Sequence, residues 1–329
     1  MSTEETRIED GINKSFPVTP GGQLTLDSDI GDVEITTGNS DTINVEIKRR
    51  FKVDDRQAAD EWLKDLTVDL SQSGDDVKVI VKLVDDNNLT NRRRIQIDFR
   101  ISMPRNFNLK LRTVGTANIG NVQGTVTAST EAGSLIIGDV DGPVMATSGG
   151  GRLSIGNVGG DLDARSGGGS LSIGNVGGDL DARSGGGSLT IGNVGGDVDA
   201  RSGGGSIIVG RINGRVTASA AGGSVSIEEA IDANEVTAAG GSIAVYISGQ
   251  PSAGFNMRAD GGNIDLRLPD SVAISVNASC IAGRITTNYD IALMGGLHGS
   301  GLKGDINGGG PSVVLRATGG NIHFHKAGS

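Results

Sequence analysis

The sequence predicts an all-β protein built as a β-solenoid, in which short strands wind around a common core and each coil stacks on the next. Residues 148–165, 166–183 and 184–201 have nearly the same sequence and differ at only three of their 18 positions. A fixed period this short is typical of solenoids, whose units contact only their neighbours. The three units therefore predict that each coil has the length of one repeat.

Each unit carries the pattern of two short strands joined by corners. In the middle unit, Leu171 and Ile173 alternate with polar residues, and Leu180 and Ala182 do so again later in the unit. Alternation of this kind places the apolar side chains on one face of a strand. Val176 is expected to point inward at a corner. The glycines and asparagines between the strands are expected to permit positive φ and sharp bends.

The same register extends well beyond the three close copies. A glycine followed by a small or polar residue and then by alternating aliphatic residues recurs every 18 positions from 115–116 to 241–242. The spacing then lengthens, and the next such glycines stand at positions 262, 283 and 320. The sequence therefore predicts regular coils followed by irregular C-terminal coils, with 294–311 forming a glycine-rich loop.

The N-terminal third of the chain has a different composition and predicts a capping region. Several stretches alternate polar and apolar residues, as half-buried strands do. Residues 54–66 instead carry apolar residues at helical spacing after two aspartates that suit an N-cap, which predicts one short helix packing Trp62 onto a small sheet. We expect a strand-rich capping region over 1–111, with a helix at about 54–66, and a solenoid over 112–329.

Composition excludes several classes of protein. The 55 glycines lack the three-residue period of collagen. The net charge of −10 argues against nucleic acid as a partner, and the basic cluster 92–94 is expected to flank a strand. Cys280 is the only cysteine, so no intrachain disulfide is expected, and its alternating surroundings predict a core position. We expect no transmembrane segment, because no apolar run is long enough, and the acidic start lacks the features of a signal peptide.

Four stretches together resemble the bacterial "putative adhesin" family of glycine-rich β-solenoid domains of unknown function. They are PGGQLTLDSDIGDVEI (20–35), ISMPRNFNLKLRT (101–113), the repeated GGS-aliphatic pattern, and LKGDINGGGPSVVLRATGGNIHF (302–324). The resemblance implies a right-handed β-solenoid and an adhesin-like role, and it supplies no catalytic residues. It also implies a protein of the cell envelope or a secreted one, whereas the missing signal peptide leaves a cytoplasmic location open.

Two outward rows of aspartates are the first candidate for chemistry. Stacked carboxylates can hold Ca²⁺. Arginines at 165, 183 and 201 lie on the same predicted face and can pair with them, and the units do not fit the calcium-binding nonapeptide. We therefore predict no metal and no cofactor, with a calcium ladder kept as the weaker alternative. The residues of that ladder are Asp161, Asp163, Asp179, Asp181, Asp197 and Asp199.

Hydroxyl and imidazole groups give two further candidates. Ser154, Ser172 and Thr190 predict a small hydroxyl row, a kind of array that can bind ice or sugar faces but more often only solvates a sheet. His323 and His325 project from one face of a predicted terminal strand and could bind a transition metal. Because no third ligand is near in sequence, they are expected to be surface residues.

The function that these observations favour is a non-enzymatic structural or adhesin-like solenoid, which acts through its repetitive surface in adhesion or envelope interaction. The alternative is a cytosolic scaffold or filament protein similar to bactofilins, and a polysaccharide-active enzyme ranks lowest because repeated charges suit a uniform surface better than a unique site. The expected partners are a glycan, the cell envelope or a protein surface, and the expected state is a monomer or small oligomer.

Overall fold

The computed structural model describes residues 6–53, 63–84, 95–294 and 301–327, and these residues fold almost entirely as β-strands. The chain forms two compact units, Met1–Gly159 and Gly160–Ser329, which are described in turn. The prediction of an all-β protein is confirmed. Within the described residues only Leu63 and Lys64 are helical.

The strands of the first unit are β1 (Thr6–Pro17), β2 (Gln23–Ser28), β3 (Asp32–Gly38), β4 (Thr42–Val53), β5 (Leu66–Ser73), β6 (Asp76–Leu83), β7 (Ile95–Pro104), β8 (Asn108–Thr113), β9 (Ala117–Ile119), β10 (Val126–Thr130), β11 (Leu135–Ile137), β12 (Val144–Ser148) and β13 (Leu153–Ile155). Strands β8, β10 and β12 pair in parallel along one side, and β9, β11 and β13 along the other. Successive layers therefore lie on one another with their apolar residues in register.

The layers at one end of the first unit are not in chain order. Strand β2 pairs in parallel with both β6 and β8, and β3 pairs in parallel with both β7 and β9. The layer formed by β2 and β3 is thus held between two layers that both follow it in sequence, one of β6 and β7 and one of β8 and β9. Antiparallel strands cover the outermost layer, since β5 pairs with β6, and β4 pairs with both β7 and β1.

The predicted helix at 54–66 falls mainly on residues 54–62, which lie outside the described residues, as do Trp62 and the basic cluster 92–94. The last predicted position is wrong, because Leu66 begins strand β5. Leu66 is 8% exposed and pairs with Leu83, so pairing with β6 takes precedence over helical spacing at this residue.

The strands of the second unit are β14 (Leu162–Ser166), β15 (Leu171–Ile173), β16 (Leu180–Ser184), β17 (Leu189–Ile191), β18 (Val198–Ser202), β19 (Ile207–Ala220), β20 (Val225–Ala238), β21 (Ile243–Ile247), β22 (Phe255–Ala259), β23 (Ile264–Leu268), β24 (Ile274–Cys280), β25 (Ile285–Thr287), β26 (Ala292–Leu293), β27 (Gly301–Ile306), β28 (Ser312–Ala317) and β29 (Ile322–Lys326). From β14 to β19 the strands pair in parallel, and the facing residues occupy equivalent positions of successive repeats, as Leu162 and Leu180 do. Identical side chains therefore face each other in adjacent layers.

The C-terminal layers also depart from chain order. Strand β28 lies between β22 and β24, and β29 lies between β23 and β25, all in parallel pairs. The last strands of the chain are thus inserted between two layers that precede them in sequence. Part of the predicted loop 294–311 instead forms β27, which pairs antiparallel with β24 and with β26. The long gap in the glycine spacing, from position 283 to position 320, corresponds to this insertion.

The core consists of the alternating aliphatic residues that the sequence predicted. Leu171 is 1% exposed, and Val176 is 2% exposed and forms an isolated bridge to Val194. The inward position of Val176 is therefore confirmed. Cys280 is also buried, as predicted. Ser184 is buried as well, and its hydroxyl donates a hydrogen bond to the Gly169 carbonyl at 3.0 Å while accepting one from the Gly187 N–H at 2.8 Å.

The expected role of the repeat glycines in permitting positive φ is wrong. Among the described residues, positive φ occurs at Asn307 and at glycines 21, 31, 74, 308 and 309, none of which lies in the regular repeats. The repeat glycines are required for space instead. A Cβ on Gly185 would overlap the backbone carbonyl of Gly167, and a Cβ on Gly203 would overlap that of Gly185. The close approach of one layer to the next, rather than a left-handed turn, selects glycine at these corners.

Candidate functional site

The outward face of strands β14, β16 and β18 carries one row of aspartates and one row of arginines. Each arginine pairs with the aspartate two positions before it, because alternate residues of a strand lie on the same face. The Asp181 Oδ2 lies 2.8 Å from Arg183 Nη2, and the Asp199 Oδ2 lies 3.9 Å from the same Nη2 across the layers. The corresponding pairs are Arg165 with Asp163 at 2.9 Å and Arg201 with Asp199 at 2.8 Å. This face therefore has alternating charges that already neutralise each other.

The second row of aspartates has a structural role that sequence patterns did not reveal. The Asp179 N–H donates to the Asp161 Oδ1 at 2.9 Å, and the Asp197 N–H donates to the Asp179 Oδ1 at 2.8 Å. The Arg215 N–H continues the ladder by donating to the Asp197 Oδ1 at 2.8 Å. Each carboxylate thus satisfies a backbone donor of the next layer at a corner, where no strand pairing is available. One oxygen of each of these three carboxylates therefore already accepts a backbone hydrogen bond.

Two more ladders of the same kind follow the other corners. The Ser206 N–H donates to the Ser188 Oγ at 3.2 Å, and the Ser224 N–H donates to the Ser206 Oγ at 3.1 Å. The Asn193 N–H donates to the Asn175 Oδ1 at 2.9 Å. A short polar side chain therefore ties each corner to the next layer. The sequence signal is the polar residue repeated beside each glycine, which by itself indicates only turn chemistry.

The six aspartates of the calcium alternative thus fall into two groups, one paired with arginine and one bonded to backbone. Among the described residues, no group of three or more His, Cys, Asp or Glu side chains is placed to hold a metal ion. That these aspartates bind no ion remains a prediction.

The hydroxyl row is short. Ser172 and Thr190 face each other on β15 and β17, and Ile208, which is 51% exposed, follows Thr190. Ser154 lies in the first unit on β13 and faces Ile136, which is 44% exposed. The hydroxyls are therefore flanked by exposed aliphatic side chains, Ile136 beside Ser154 and Ile208 beside Thr190.

His323 and His325 lie on β29, the last strand of the chain, on either side of the buried Phe324, as predicted. Strand β29 lies between β23 and β25, so His323 faces Asp265 on one side and Thr286 on the other. The Thr286 Oγ1 is 2.5 Å from the His323 Nδ1. His325 faces Arg267, whose positive charge opposes a metal ion at that position. The residues that face His323 and His325 therefore favour hydrogen bonding at the surface over a metal centre.

A network of five charged side chains joins four layers of the first unit. Lys82 lies 2.8 Å from the Asp27 Oδ1 and 2.9 Å from the Asp29 Oδ1, and Arg112 reaches the same two oxygens at 3.0 and 3.1 Å. Arg112 also pairs with Glu131 at 2.5 Å. Burial acts to raise the pKa of Asp27 and Asp29, but the hydrogen bonds from Lys82 and Arg112 outweigh it and lower both pKa values. No sequence pattern pointed to this network, because its members are far apart along the chain.

An open groove of about 450 Å³ crosses strands β1, β4, β7 and β3 in the first unit. Its lining includes Asn13, Glu34, Asn44, Glu46 and Arg100. The Arg100 Nε lies 3.7 Å from the Glu34 Oε2, and Glu46 pairs with Lys48 at 3.3 Å. None of the described residues that line this groove is aromatic, so this described lining offers no ring face on which a sugar could stack.

The chain is similar to several solved structures. No protein-family model and no curated protein sequence matches it. A structure described as a putative cell adhesion protein from Clostridium sporogenes is 12% identical, with 97% of this chain and 100% of that chain covered and a TM-score of 0.21. A putative adhesin from Parabacteroides distasonis is 10% identical over 97% of both chains, with a TM-score of 0.30. A putative lipid binding protein from the same organism is 11% identical over 97% of both chains, with a TM-score of 0.25.

The chain therefore resembles structures described as putative adhesins over nearly its whole length. At these identities and TM-scores, the likeness indicates no ligand and no activity. No helix within the described ranges has the length and apolar character needed to cross a membrane.

Proposed function

We propose that this protein is a non-enzymatic, adhesin-like β-solenoid that acts through its repetitive surface in adhesion or envelope interaction. The observation that carries the proposal is the in-register repetition of outward side chains on β14, β16 and β18, where Asp163, Asp181 and Asp199 face one another in successive layers. A surface that repeats at the strand spacing of about 4.8 Å suits a partner that is itself extended or repetitive. A catalytic centre instead needs unlike groups that converge on one point.

We also propose the length of the coils, their right-handed path and the division into two regions. Parallel pairing of Leu162 with Leu180, and of Leu180 with Val198, supports coils of one repeat each, and the family resemblance supports a right-handed path. We retain the division into a capping region at 1–111 and a solenoid at 112–329. Its support is that the antiparallel strands β1, β4 and β5 all precede residue 111.

The alternative is a scaffold that polymerises end to end, as a bactofilin-like protein would. Parallel layering favours it, because an uncovered layer can pair with another chain. The antiparallel strands over the outermost layer of the first unit oppose it, because they leave no parallel layer for a second copy to continue. We therefore rank the scaffold second and a polysaccharide-active enzyme third.

Binding to isolated cell-envelope material and to immobilised polysaccharides tests the proposal. We expect saturable binding without turnover of polysaccharide, peptide or ester substrates. A variant with Arg165→Gln, Arg183→Gln and Arg201→Gln removes one outward row and should weaken binding, whereas Arg258→Gln, an exposed arginine outside the repeats, serves as the matched control. Turnover of a substrate, or long filaments in electron micrographs, would contradict the proposal.

A further inference from the structure

One outward face of the C-terminal layers carries side chains that do not repeat. Strands β21, β23, β29 and β25 lie side by side in parallel, and alternate residues of these strands form two outward rows. Six neighbouring side chains of these rows are polar or aromatic, and each is exposed or half-buried. They are Asp265, His323 and Thr286 in the first row, and Tyr246, Arg267 and His325 in the second. We call these six residues the C-terminal polar patch.

The regular layers lack side chains in the second of these rows. Strands β15 and β17 each have three residues, and glycine follows them at positions 174 and 192. Strands β21, β23 and β29 each have five residues, and they place Tyr246, Arg267 and His325 where the regular layers have glycine. Side chains of adjacent layers lie about 4.8 Å apart, so unlike polar groups come together here. A specific binding site requires an arrangement of this kind.

Arg267 does not pair with the carboxylate beside it. In the regular layers, Arg183 Nη2 lies 2.8 Å from the carboxylate of Asp181, two positions before it. Asp265 has the same spacing from Arg267, but none of the ion pairs among the described residues includes either side chain. The Arg267 guanidinium carbon instead lies 5.9 Å from the centre of the Tyr246 ring. Within the described chain, the charge of this guanidinium is therefore not neutralised by a carboxylate.

The chemistry of the patch suits a ligand with one negative charge and several hydroxyl groups. A guanidinium held against an aromatic ring is already ordered, and its fork of donors matches the two oxygens of a carboxylate. Asp265 accepts hydrogen bonds from hydroxyl groups and repels an anion of higher charge. The Thr286 Oγ1 lies 2.5 Å from the His323 Nδ1, so the ring's other nitrogen is the one left for a ligand. Ala244, the small residue that faces Asp265 on β21, leaves room beside the carboxylate.

We propose that the C-terminal polar patch binds an acidic sugar of a polysaccharide. The sugar carboxylate contacts Arg267, and the sugar hydroxyl groups contact Asp265 and His323. Tyr246 is a positioning residue that holds the guanidinium in place. This inference rests on the proposed function, because it names an acidic polysaccharide as the partner in adhesion. Its residues are nevertheless separate from the arginine row of β14, β16 and β18, so the two can be tested apart.

Binding of the full chain to polygalacturonate tests the site, with the methyl ester of the same polymer as the matched probe. Esterification removes the negative charge and keeps the sugar backbone, so the ester should bind at least about ten-fold more weakly. The net charge of −10 opposes unspecific binding of a polyanion, so binding reports local contacts.

Variants of two arginines locate the site. Arg267→Gln should weaken binding of polygalacturonate at least about ten-fold, and Arg267→Lys should weaken it less, because lysine keeps the charge but loses the fork. Arg316→Gln removes an exposed arginine on β28 and should bind as the wild type does. Tyr246→Ala should weaken binding, whereas Tyr246→Phe, which keeps the ring, should not. Thermal transitions followed by circular dichroism check that each variant is folded.

Three outcomes overturn the assignment of this site. They are equal binding of the two polymers by the wild type, unchanged binding by Arg267→Gln, and equal losses in Arg267→Gln and Arg316→Gln. Binding to isolated cell-envelope material, measured in parallel, separates this inference from the proposed function. A chain that binds envelope material but not polygalacturonate refutes the sugar site alone, whereas a chain that binds neither refutes the proposed function as well.

Discussion

The regular layers from β14 to β19 and the final layers from β22 to β29 are both built from short parallel strands, but the strands stack in chain order only in the regular layers. In the regular layers each strand pairs with the corresponding strand of the next repeat in the sequence. In the final layers, Phe255 faces Val313 from one side and Val276 faces Val313 from the other, so the partners are much further apart along the chain. The repeat therefore determines which residues can stack, whereas long-range pairing decides the order of stacking.

The ends of both units share this feature. Strand β2 is held between β6 and β8, just as β28 is held between β22 and β24. In each case a strand near one end of the chain is paired on both sides, and one of its two partners comes from further inside the sequence. A strand that is paired on both sides cannot separate without losing two ladders.

Removing equal lengths of chain from the regular layers and from the final layers should give the largest difference in stability. Deletion of 184–201 removes one whole repeat and joins Arg183 to Ser202, so that the flanking layers can stack in register. Truncation after Pro311 removes the same length of chain, 312–329, but it takes β28 and β29 from between two layers. We expect the deletion to retain a cooperative thermal transition and the truncation to lose it, as measured by circular dichroism.

Two outcomes would contradict this comparison. If the deletion and the truncation unfold the protein equally, the sequence repeat is not the structural unit of the regular layers. If the truncated chain remains as stable as the deletion variant, the inserted layer does not hold the final layers together.

Substitutions on the two faces of one regular strand should differ by several kcal/mol. Leu171 is 1% exposed, so Leu171→Asp places a carboxylate among aliphatic side chains and should lower the free energy of unfolding by more than about 3 kcal/mol. Ser172 lies on the opposite, exposed face, and Ser172→Asp should change the free energy of unfolding by less than about 0.5 kcal/mol. Urea denaturation measures both values, and similar losses would show that the strand is oriented otherwise.

Much of the regular region was predictable from sequence because its interactions join equivalent positions. The alternation of Leu171, Ile173 and Leu180 predicted the core, and the period predicted the facing residues. The inserted layers were not predictable, because nothing in the spacing of β28 distinguishes insertion from continuation. The charged network of Asp27, Lys82 and Arg112 was missed for the same reason, since its partners meet only after β2 is inserted.

The polar corner ladders can be tested by a double-mutant cycle in the regular layers. A Cβ on Gly196 would overlap the Asp179 carboxylate and approach the Gly178 backbone, so Gly196→Ala should destabilise by about 1–3 kcal/mol. Asp179→Ala removes the carboxylate and its bond to the Asp197 N–H, and should cost about 1 kcal/mol alone. In the double variant the two losses should be less than additive, because the shared clash is gone. Strictly additive losses would mean that Gly196 and Asp179 do not interact.

Acid should weaken the inserted layer of the first unit through Asp27 and Asp29. Their folded pKa values are lowered, so the stability that they contribute is present above the unfolded pKa near 3.8 and is lost as pH falls through the folded values. Arg112→Gln should therefore destabilise at pH 7, and its difference from wild type should shrink below about pH 4. The control Arg258→Gln alters an exposed pair with Asp260 and should cost only about 0–1 kcal/mol at pH 7. A difference for Arg112→Gln that is constant from pH 7 to about pH 2 would contradict this account.

Calcium should have the smallest effect, because the aspartates of the regular layers already have partners. Asp163, Asp181 and Asp199 pair with arginine, and Asp161 and Asp179 accept backbone hydrogen bonds. An ion would have to displace these partners or bind through the one remaining oxygen of each carboxylate, whereas Ca²⁺ requires six to eight oxygen ligands. Millimolar calcium should therefore change the Tm by less than about 2 °C. A larger rise in Tm that is reversed by EDTA and abolished by Asp181→Asn, but retained in Asp260→Asn, would assign a calcium site to the aspartates of the regular layers. The regular layers would then differ from the final layers in ion binding as well as in the order of their strands.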